Sequence, residues 1–482
     1  MMLPPPASSA EGAFSLTLLA RLPLAEAFYR VWSFLATDAA LDALFHAHRG
    51  RCYQDRLSFA ELVGLLADAL TRYHGSGHRA FAKAAQRQQL SVRPRAAYGK
   101  LGRLPLPLAE AFLSALTARL RPLFPPGLYR TPLPAGLAGL AVVVVDGKKI
   151  KDAAKRLLAC RGRPGKLYGG KVLAAYLPAE GLVVAMAADA DGEANDCRLV
   201  PRLVPLARGA VTGPRLWVAD RQFCDLDQPG RFAAGGDHFL IRFSHKTSFA
   251  ADPERPARAG VDGAGRPFTQ EWGWMGSAGD RRRRYVRRIT LPRGADEAVA
   301  LVTDLLDESA HPGAELLAVY RTRWQIEGVF QQITEVFALD HLIGCTPQAT
   351  VFQASLCLVV YNAVQLIRGY AAVAGPEPLE VDRVSAEKVF QDLHEELVSL
   401  HRALSPEELL RALPAGTEAG EVRQRLRSLL GRAWTADWKK APPPKRRPPR
   451  PKAKQSGAHT SVHKLLRQAQ RQKDRPGPHH PS

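Results

Sequence analysis

The chain has 482 residues and carries 67 Lys plus Arg against 46 Asp plus Glu, a formal charge of +21 at neutral pH. This length is roughly three times the ~150 residues of an average domain, so we expect about two to four domains and a sizeable core. Such an excess of positive charge indicates an anionic partner, either nucleic acid or a membrane surface. The charge is uneven, because residues 439–482 hold thirteen basic residues and one acid.

Cysteine spacing and missing motifs exclude several function classes. The six cysteines lie far apart with no C-x-x-C pair, which argues against a zinc knuckle and a disulfide framework. The sequence contains no P-loop, dinucleotide-binding glycine pattern, G-x-S-x-G or H-E-x-x-H. No apolar stretch reaches the ~18 to 20 residues of a membrane span. The N-terminus is a poor signal peptide, so we expect a cytoplasmic protein without a membrane partner.

The first third of the chain has helical periodicity. Leucines recur at helical spacing between residues 57 and 70 and again between 106 and 120. We predict a helical N-terminal domain over residues 1–135 that binds DNA. DNA contact and a solvated helical face explain its basic patches about equally well.

Strand patterns then replace the helical ones. Residues 140–145 form a continuous β-branched run, typical of a strand buried on both faces. Residues 170–177 and 181–188 read as a hairpin, and 215–219 as a further buried strand. This order predicts an α/β catalytic domain over residues 136–345, built on a mixed sheet flanked by helices.

The rest of the chain divides into four segments by composition. Residues 245–298 are rich in Gly, Pro and Arg and predict a basic, β-rich insertion. An amphipathic helix follows at 315–337, and residues 346–437 predict a helical C-terminal region. Proline and like charge dominate residues 438–482, so we predict a disordered basic tail.

Two predicted strands each end on an aspartate, Asp146 and Asp220. In open α/β sheets, ligands and catalytic groups collect at the ends of strands, which makes these residues candidate neighbours. Aspartate is also a common turn residue after a strand, so two such residues alone do not define a metal site. Asp225 and Asp227 are rivals of Asp220, which we prefer because it directly follows its strand.

A third acid lies on the helix predicted at 315–337. At 100° per residue, a set of polar side chains falls within about 80° on one face. These residues are Tyr320, Arg323, Glu327, Gln331 and Thr334. An exposed face with an i, i+4 salt bridge is the alternative interpretation.

The residues Tyr320, Arg323 and Glu327 have the Y-x2-R-x3-E spacing. With this spacing the chain resembles DDE transposases of the insertion-sequence-four family, whose signature starts in the same way. The strand ending in Asp146-Gly147 and the run Val218-Ala-Asp-Arg-Gln-Phe223 also resemble that family.

The resemblance covers residues from about 140 to 365 and implies a ribonuclease-H-like fold. It implies a DDE triad of Asp146, Asp220 and Glu327, with a β-rich insertion between the second and third acids. The same three residues would bind two Mg²⁺ ions, or Mn²⁺ instead. Magnesium prefers oxygen ligands, and two ions stabilise both the attacking and the leaving oxygen of a phosphodiester.

The chain departs from the family signature at Thr334, where the family has a lysine. Either Lys148 or Lys149 takes the place of that lysine at the DNA end, or this copy is weakened. By resemblance, Arg323 would contact a phosphate through two hydrogen bonds. Tyr320 would hydrogen-bond a neighbouring phosphate or pack at its edge.

Further DNA contacts are expected from the insertion. Trp272 and Trp274 either stack on an unpaired base or are ordinary core residues. Arg282, within the run 281–284, meets either a backbone phosphate or solvent at a strand edge. Residues 189–194 resemble a calcium loop, but Ala194 stands where glycine is required, which favours a turn.

The combined prediction is a cut-and-paste DNA transposase acting at the inverted repeats of its own insertion sequence. It would act on double-stranded element ends and target DNA, as a homodimer in the synaptic complex, in the nucleoid-associated cytoplasm. A hairpin intermediate is compatible with this route. The alternatives are a ribonuclease-H-like nuclease that does not join strands and a catalytically inactive DNA-binding descendant.

Overall fold

The computed structural model describes residues 15, 17–125, 133–293, 297–337, 339–374, 380–404, 408–409, 412–413, 418–440 and 459–473. The proline-rich part of the predicted disordered tail, residues 441–458, lies outside these ranges, as do residues 474–482.

Among the described residues, helices dominate the first and last parts of the chain, and most strands lie between residues 141 and 303. The α-helices are α1 (Pro23–Leu35), α2 (Asp38–His48), α3 (Phe59–Arg72), α4 (Gly77–Gln86), α5 (Pro94–Leu101), α6 (Leu106–Leu120), α7 (Val200–Ala210), α8 (Gln228–Ala233), α9 (Gly313–Arg321), α10 (Trp324–Glu335), α11 (Pro347–Ala374), α12 (Ala386–Ala403), α13 (Ala419–Ala433) and α14 (Val462–Lys473). The strands are β1 (Ala141–Ile150), β2 (Leu167–Tyr168), β3 (Gly170–Leu177), β4 (Leu182–Asp189), β5 (Arg215–Ala219), β6 (His238–Arg242), β7 (Phe249–Ala251), β8 (Arg258–Val261), β9 (Pro267–Met275), β10 (Arg284–Arg293), β11 (Glu297–Thr303) and β12 (Thr460–Ser461).

The chain divides into two units. The helical unit consists of Met1–Tyr129, Lys151–Gly169 and Gln332–Ser482, and the sheet unit of Arg130–Ile150 and Gly170–Gln331. The helical unit thus joins residues from both ends of the chain with a short segment that directly follows β1. The domain boundaries predicted from the sequence stay a prediction.

The sheet unit is built on one mixed sheet with the strand order β4-β3-β1-β5-β6-β11-β10-β9-β7, and β8 pairs with β9. Strand β5 runs parallel to both β1 and β6, and the remaining pairs in this sheet are antiparallel. The mixed sheet is flanked by helices in a ribonuclease-H-like arrangement. The predicted α/β fold class is therefore confirmed.

Local sequence explains the central strands. Four consecutive valines, 142–145, are buried in β1, as expected for a strand covered on both faces. The hairpin β3–β4 turns at Gly181, whose φ of +70° favours glycine. Strands β7 to β10 occupy the segment that the sequence predicts as a β-rich insertion, and they extend the sheet beyond β11.

The amphipathic stretch 315–337 is not one helix, so that prediction is wrong. It forms α9 and α10, separated by a turn at Thr322 and Arg323. The Thr322 hydroxyl donates to the Val319 carbonyl at 2.7 Å, and the Thr322 N–H donates to the same carbonyl at 2.9 Å. Such i to i−3 bonding tightens the last turn of α9 and interrupts the regular helix.

The helical unit is organised around α11. This helix is long and apolar enough to cross a membrane by length and composition, but its most apolar stretch is wholly buried, as in the core helix of a globular protein. Its polar side chains bond to neighbouring elements: Ser355 Oγ donates to the Ala109 carbonyl at 2.6 Å, and Asn362 Nδ2 donates to Thr117 Oγ1 at 2.9 Å. These contacts connect α11 to α6 from the N-terminal part of the chain.

The C-terminal tail is partly ordered, which differs from the prediction of disorder over residues 438–482. Residues 460–473 form β12 and α14, and Val462 and Leu465 are buried within the helical unit. The physical reason is amphipathicity. The apolar residues of α14 occur at helical spacing, whereas proline and like charge dominate only the residues before it.

Candidate active site

The first two predicted triad residues lie on neighbouring parallel strands or directly after them. Asp220 directly follows β5, whereas Asp146 lies within β1, which continues to Ile150 instead of ending at Asp146 as the sequence pattern predicted. In the register of β1 and β5, Val145 pairs with Ala219, and each strand continues with an aspartate. Adjacent strands lie about 4.8 Å apart, so Asp146 and Asp220 are neighbours. Asp220 Oδ1 accepts the Gln222 N–H at 2.9 Å, which fixes the turn that follows β5.

The third residue, Glu327, reaches the site through Arg323. Arg323 Nη2 lies 2.9 Å from Glu327 Oε1, and Arg323 Nη1 lies 3.7 Å from Asp146 Oδ2. The Arg323 side chain is only 8% exposed, whereas Glu327 is 44% exposed. One buried guanidinium therefore connects the acid of α10 with the acid on β1.

The three carboxylates act on one another electrostatically. Burial raises the pKa of Asp146 to about 6, and the negative charges of Asp220 and Glu327 act in the same direction. The Gly147 N–H, 2.9 Å from Asp146 Oδ1, and the Arg323 charge oppose this rise. The predicted triad is thus brought together as one acidic cluster with Arg323 against it.

Tyr320 lies beside this cluster at the end of α9. Its side chain is buried, and burial raises the pKa of its hydroxyl to about 12. The charges of Arg323, Arg242 and Asp220 also act on this hydroxyl. Arg242 ends β6, the strand next to β5, and supplies a second cation that the sequence patterns did not single out.

The donor chemistry of the cluster fits Mg²⁺ or Mn²⁺, because all three acids offer carboxylate oxygens. A divalent ion would also offset the burial and the neighbouring negative charges that raise the pKa of Asp146. Among the described residues, however, no three His, Cys, Asp or Glu side chains form a ready-made group of metal ligands. Arg323, paired with both Asp146 and Glu327, holds cationic charge at the position between these two acids.

A buried ion pair supports the site from the opposite face of β1. Lys171 Nζ lies 2.5 Å from Asp196 Oδ1, and both side chains are less than 10% exposed. Gln222 Nε2 donates to Asp196 Oδ2, and Lys171 Nζ also donates to the Ala194 carbonyl at 2.7 Å. A Cβ on Gly147 would overlap the Asp196 carboxylate, so glycine lets this carboxylate pack against the strand beside Asp146.

Asp196 and Lys171 are site-supporting residues that the sequence reasoning missed. Their positions differ by 25 residues, and no local spacing marks two residues so far apart as partners. Gln222 follows Asp220 by two residues, so Asp196 contacts residues beside both candidate aspartates. Gly147, directly after Asp146, was the sequence feature that could have indicated this packing, because glycine allows the close approach of another group.

Two lysines on β1, Lys148 and Lys149, are the candidates to replace the lysine that the family signature has at the position of Thr334. Side chains alternate along a strand, so Lys148 shares the face of Asp146 and Lys149 takes the other. Thr334 lies on α10 seven residues after Glu327, about two turns away on the same side of the helix. Lys148 is therefore the better placed of the two.

The two tryptophans of the insertion differ although both lie on β9. Trp272 is fully buried, stacks with Arg255 at 3.9 Å and donates its Nε1–H to the Leu306 carbonyl at 2.8 Å. It is a core residue, so the prediction that it stacks on a DNA base is corrected. Trp274 is 39% exposed and lies under Arg283 at 4.0 Å, which leaves part of its ring accessible.

Arg282 is exposed but already paired. It contacts Asp280 through two nitrogens, at 3.0 and 2.9 Å, and Asp227 at 3.3 Å. A phosphate would have to displace two carboxylates from this guanidinium. The DNA contact of Arg282 stays a prediction.

The rival aspartates have other roles. Asp225 Oδ1 accepts the N–H groups of Asp227 and Gln228 at 2.9 and 2.7 Å, at the start of α8. Asp227 faces Arg282. Neither acid is among the charges that shift the pKa of Asp146, whereas Asp220 is.

Comparison with known proteins agrees with this geometry. Residues 138–363 match the family model described as the transposase DDE domain. The match supports a DDE transposase. It covers all three acids of the cluster together with Tyr320 and Arg323, and it supports a DNA-cleaving and strand-transferring enzyme in general terms. No curated protein matches the chain.

Proposed function

We propose that this chain is a DNA transposase of the insertion-sequence-four family that moves its own element by a cut-and-paste route. It would cleave DNA at the terminal inverted repeats and join the freed ends to a target. Asp146, Asp220 and Glu327 are the proposed catalytic residues. The match to the transposase DDE domain and the Y-x2-R-x3-E spacing support this assignment.

One observation carries the proposal more than any other. The guanidinium of Arg323 contacts both Asp146 and Glu327, which are 181 residues apart in sequence. The negative charges of Asp220 and of Glu327 both act on the Asp146 carboxylate. Three acids from separate parts of the chain converge, as a phosphodiester-cleaving site with divalent ions requires.

The chain's own residues bind and orient the substrate. Arg323 presents a planar fork that matches a phosphate, and burial strengthens its interaction with charge. Tyr320 stays protonated at neutral pH because its pKa is about 12, so its hydroxyl is able to donate a hydrogen bond to a phosphate oxygen. Arg242 adds positive charge on the side of Asp220.

Asp146, Asp220 and Glu327 would hold two Mg²⁺ ions, with Mn²⁺ as an alternative. When bound, these ions supply charge stabilisation at the attacking and leaving oxygens of the phosphodiester. Asp196, held by Lys171, packs against Gly147 and accepts a hydrogen bond from the Gln222 side chain, and so would help to fix the directions of Asp146 and Asp220.

Other contacts belong to the same proposal. Lys148 would hold the DNA end in place of the lysine that the family has at Thr334, and Trp274 would stack on an unpaired base. The N-terminal helices within residues 1–135 would bind the inverted repeats. Two copies of the chain would assemble with two element ends into a synaptic homodimer.

The test uses labelled duplexes taken from the DNA that flanks the coding region, together with a supercoiled target plasmid. With Mg²⁺ present, we expect cleavage at the element ends and labelled product joined to the plasmid. Asp220→Asn, which keeps the side-chain shape and removes its charge, should abolish both products while DNA binding persists.

Each other outcome contradicts a specific part of the proposal. Cleavage without joined product would favour a ribonuclease-H-like nuclease. DNA binding without either product in the wild type would favour an inactive descendant. Equal cleavage by the wild type and by Asp220→Asn would overturn the assignment of the triad.

A further inference from the structure

Two segments far apart in sequence form a small basic module within the helical unit. We define it as residues 151–169 together with residues 459–473. Strand β12 pairs in parallel with β2, with Thr460 opposite Leu167 and Ser461 opposite Tyr168. The C-terminal segment is therefore attached by backbone pairing to the segment that follows β1.

An apolar core holds the module together. Five residues share this core, and each is at most 4% exposed: Ala153, Cys160, Leu167, Val462 and Leu465. Two of these side chains, Val462 and Leu465, come from α14, so the helix is docked by its apolar side. Residues 459–473 of the tail are therefore part of the folded helical unit.

The outer surface of α14 is basic. At 100° per residue, Lys464, Arg467 and Arg471 fall within about 60° of one another, on the side opposite Val462 and Leu465. All three side chains are exposed. The helix lays its apolar side on the module core and presents its cations outward.

The segment 151–169 adds six more exposed cations. They are Lys151, Lys155, Arg156, Arg161, Arg163 and Lys166. Among the described residues of the module, Asp152 is the single acid, and it pairs with Lys166 at 3.1 Å. The module therefore presents nine exposed cations against one carboxylate.

Three arginines of the sheet unit show the alternative arrangement, in which each cation is paired with an acid. In the sheet unit, Arg288 pairs with Glu271 at 2.6 Å, Arg266 with Asp262 at 2.7 Å, and Arg282 with Asp280 at 2.9 Å. A cluster of like charges destabilises a fold by self-repulsion unless an external anion neutralises it. The excess of cations on the module indicates such an anion, and one with many charges.

We propose that the basic module is a binding site for the phosphate backbone of double-stranded DNA, without sequence preference. The proposal rests on the proposed function, in which DNA is the substrate, and it adds a site outside the catalytic cluster. Phosphates recur every few ångströms along a duplex, and rows of Arg and Lys on a rigid support match such a repeat. The docked α14 provides that support.

The test is fluorescence anisotropy of the full-length protein with a labelled 30-base-pair duplex of arbitrary sequence, titrated at several KCl concentrations. The variant is Arg161→Gln, Arg163→Gln and Arg467→Gln together. The slope of log K against log [KCl] should become shallower by about 3 units, since each phosphate contact contributes about 0.9.

The matched control is Arg258→Gln, Arg266→Gln and Arg288→Gln together. It removes the same charge from paired arginines of the sheet unit, since Arg258 pairs with Glu308. Its slope should equal that of the wild type. Equal slopes for the module variant and the wild type would overturn the proposal. So would loss of binding to phosphatidylglycerol vesicles without any change in DNA binding, which would indicate a membrane site.

The outcome is separable from that of the proposed function. If the wild type cleaves element ends and the module variant keeps the wild-type salt slope, only the proposal for the module fails. If the wild type cleaves no DNA but the module variant loses salt dependence, the module stands and the proposed function fails.

Discussion

The catalytic cluster and the basic module handle charge in opposite ways. In the cluster, three acids converge from separate elements, and one guanidinium that is 8% exposed lies against two of them. In the module, nine cations are exposed on a surface whose described residues include one acid. The cluster concentrates charge in a few partly buried groups, and the module spreads it over many solvated ones.

This difference determines how each region should respond to substitution. A buried or partly buried charge interacts strongly and has few substitutes, whereas an exposed charge is screened by salt and shares its role with its neighbours. Single changes in the cluster should therefore have large effects on the reaction. Single changes in the module should have small effects on binding, and these effects should add up.

The largest effect is expected from the acids of the triad. Asp146→Asn or Glu327→Gln should lower the rate of strand cleavage by about a thousand-fold or more, since several kcal/mol of charge stabilisation would be lost. The affinity for DNA should stay within about twofold. Gel assays of cleavage at saturating DNA, with anisotropy for binding, make this measurement. Cleavage within tenfold of the wild type would remove that residue from the triad.

The next largest effect concerns the pair that supports the site. Asp196→Asn leaves Lys171 buried without its counter-charge, which should lower the free energy of unfolding by about 3–5 kcal/mol. Urea unfolding followed by tryptophan fluorescence measures this change. Adding Lys171→Met to Asp196→Asn removes both charges and should recover most of the stability. If the single variant is as stable as the wild type, the buried pair does not stabilise the structure beside Asp146 and Asp220.

Arg323 should affect metal binding and catalysis in opposite directions. Its charge competes with a cation for Asp146 and Glu327, so Arg323→Ala should bind Mn²⁺ about tenfold more tightly in the absence of DNA. Cleavage should nevertheless fall by about a hundred-fold, because the phosphate loses its partner. Electron paramagnetic resonance of free Mn²⁺ measures the first effect. Weaker Mn²⁺ binding in this variant would show that Arg323 assists the metal rather than competing with it.

Arg323→Lys serves as the matched variant, because it keeps the charge and removes the planar fork. It should leave Mn²⁺ affinity close to that of the wild type and still reduce cleavage. If it restores full cleavage, charge alone accounts for the role of Arg323.

The smallest effect is expected from a single cation of the module. Arg163→Gln should weaken DNA binding by less than about tenfold at 0.15 M salt and lower the salt slope by about 0.9. Anisotropy titrations over a range of KCl concentrations make this measurement. A loss of binding as large as that of the triple variant would mean that one residue, and not a distributed surface, holds the DNA.

The sequence predicted the fold class and the positions of the first two acids because both depend on local pattern. The run of valines before Asp146 is long enough to specify a buried strand, although β1 continues to Ile150 instead of ending at Asp146. Asp220 directly follows the strand of residues 215–219. The spacing of Tyr320, Arg323 and Glu327 marked the third part of the site. These features lie within short stretches of chain.

Features that depend on distant partners were not predicted. Alternation along β9 puts Trp272 and Trp274 on the same face, yet one is buried under Arg255 and the other is 39% exposed. What covers each ring comes from other elements, so the local pattern carries no information about it. The Lys171–Asp196 pair and the docking of α14 onto residues 151–169 were missed for the same reason.

The central claim is that Asp146, Asp220 and Glu327 together bind the divalent ions that act on the phosphodiester. Counting Mn²⁺ ions in the complex of the full-length protein with a DNA end, by electron paramagnetic resonance, tests it most directly. We predict about two ions per chain in the wild type and neither ion in the double variant Asp146→Asn, Asp220→Asn, with circular dichroism unchanged. The same number of bound ions in the folded double variant would contradict the claim.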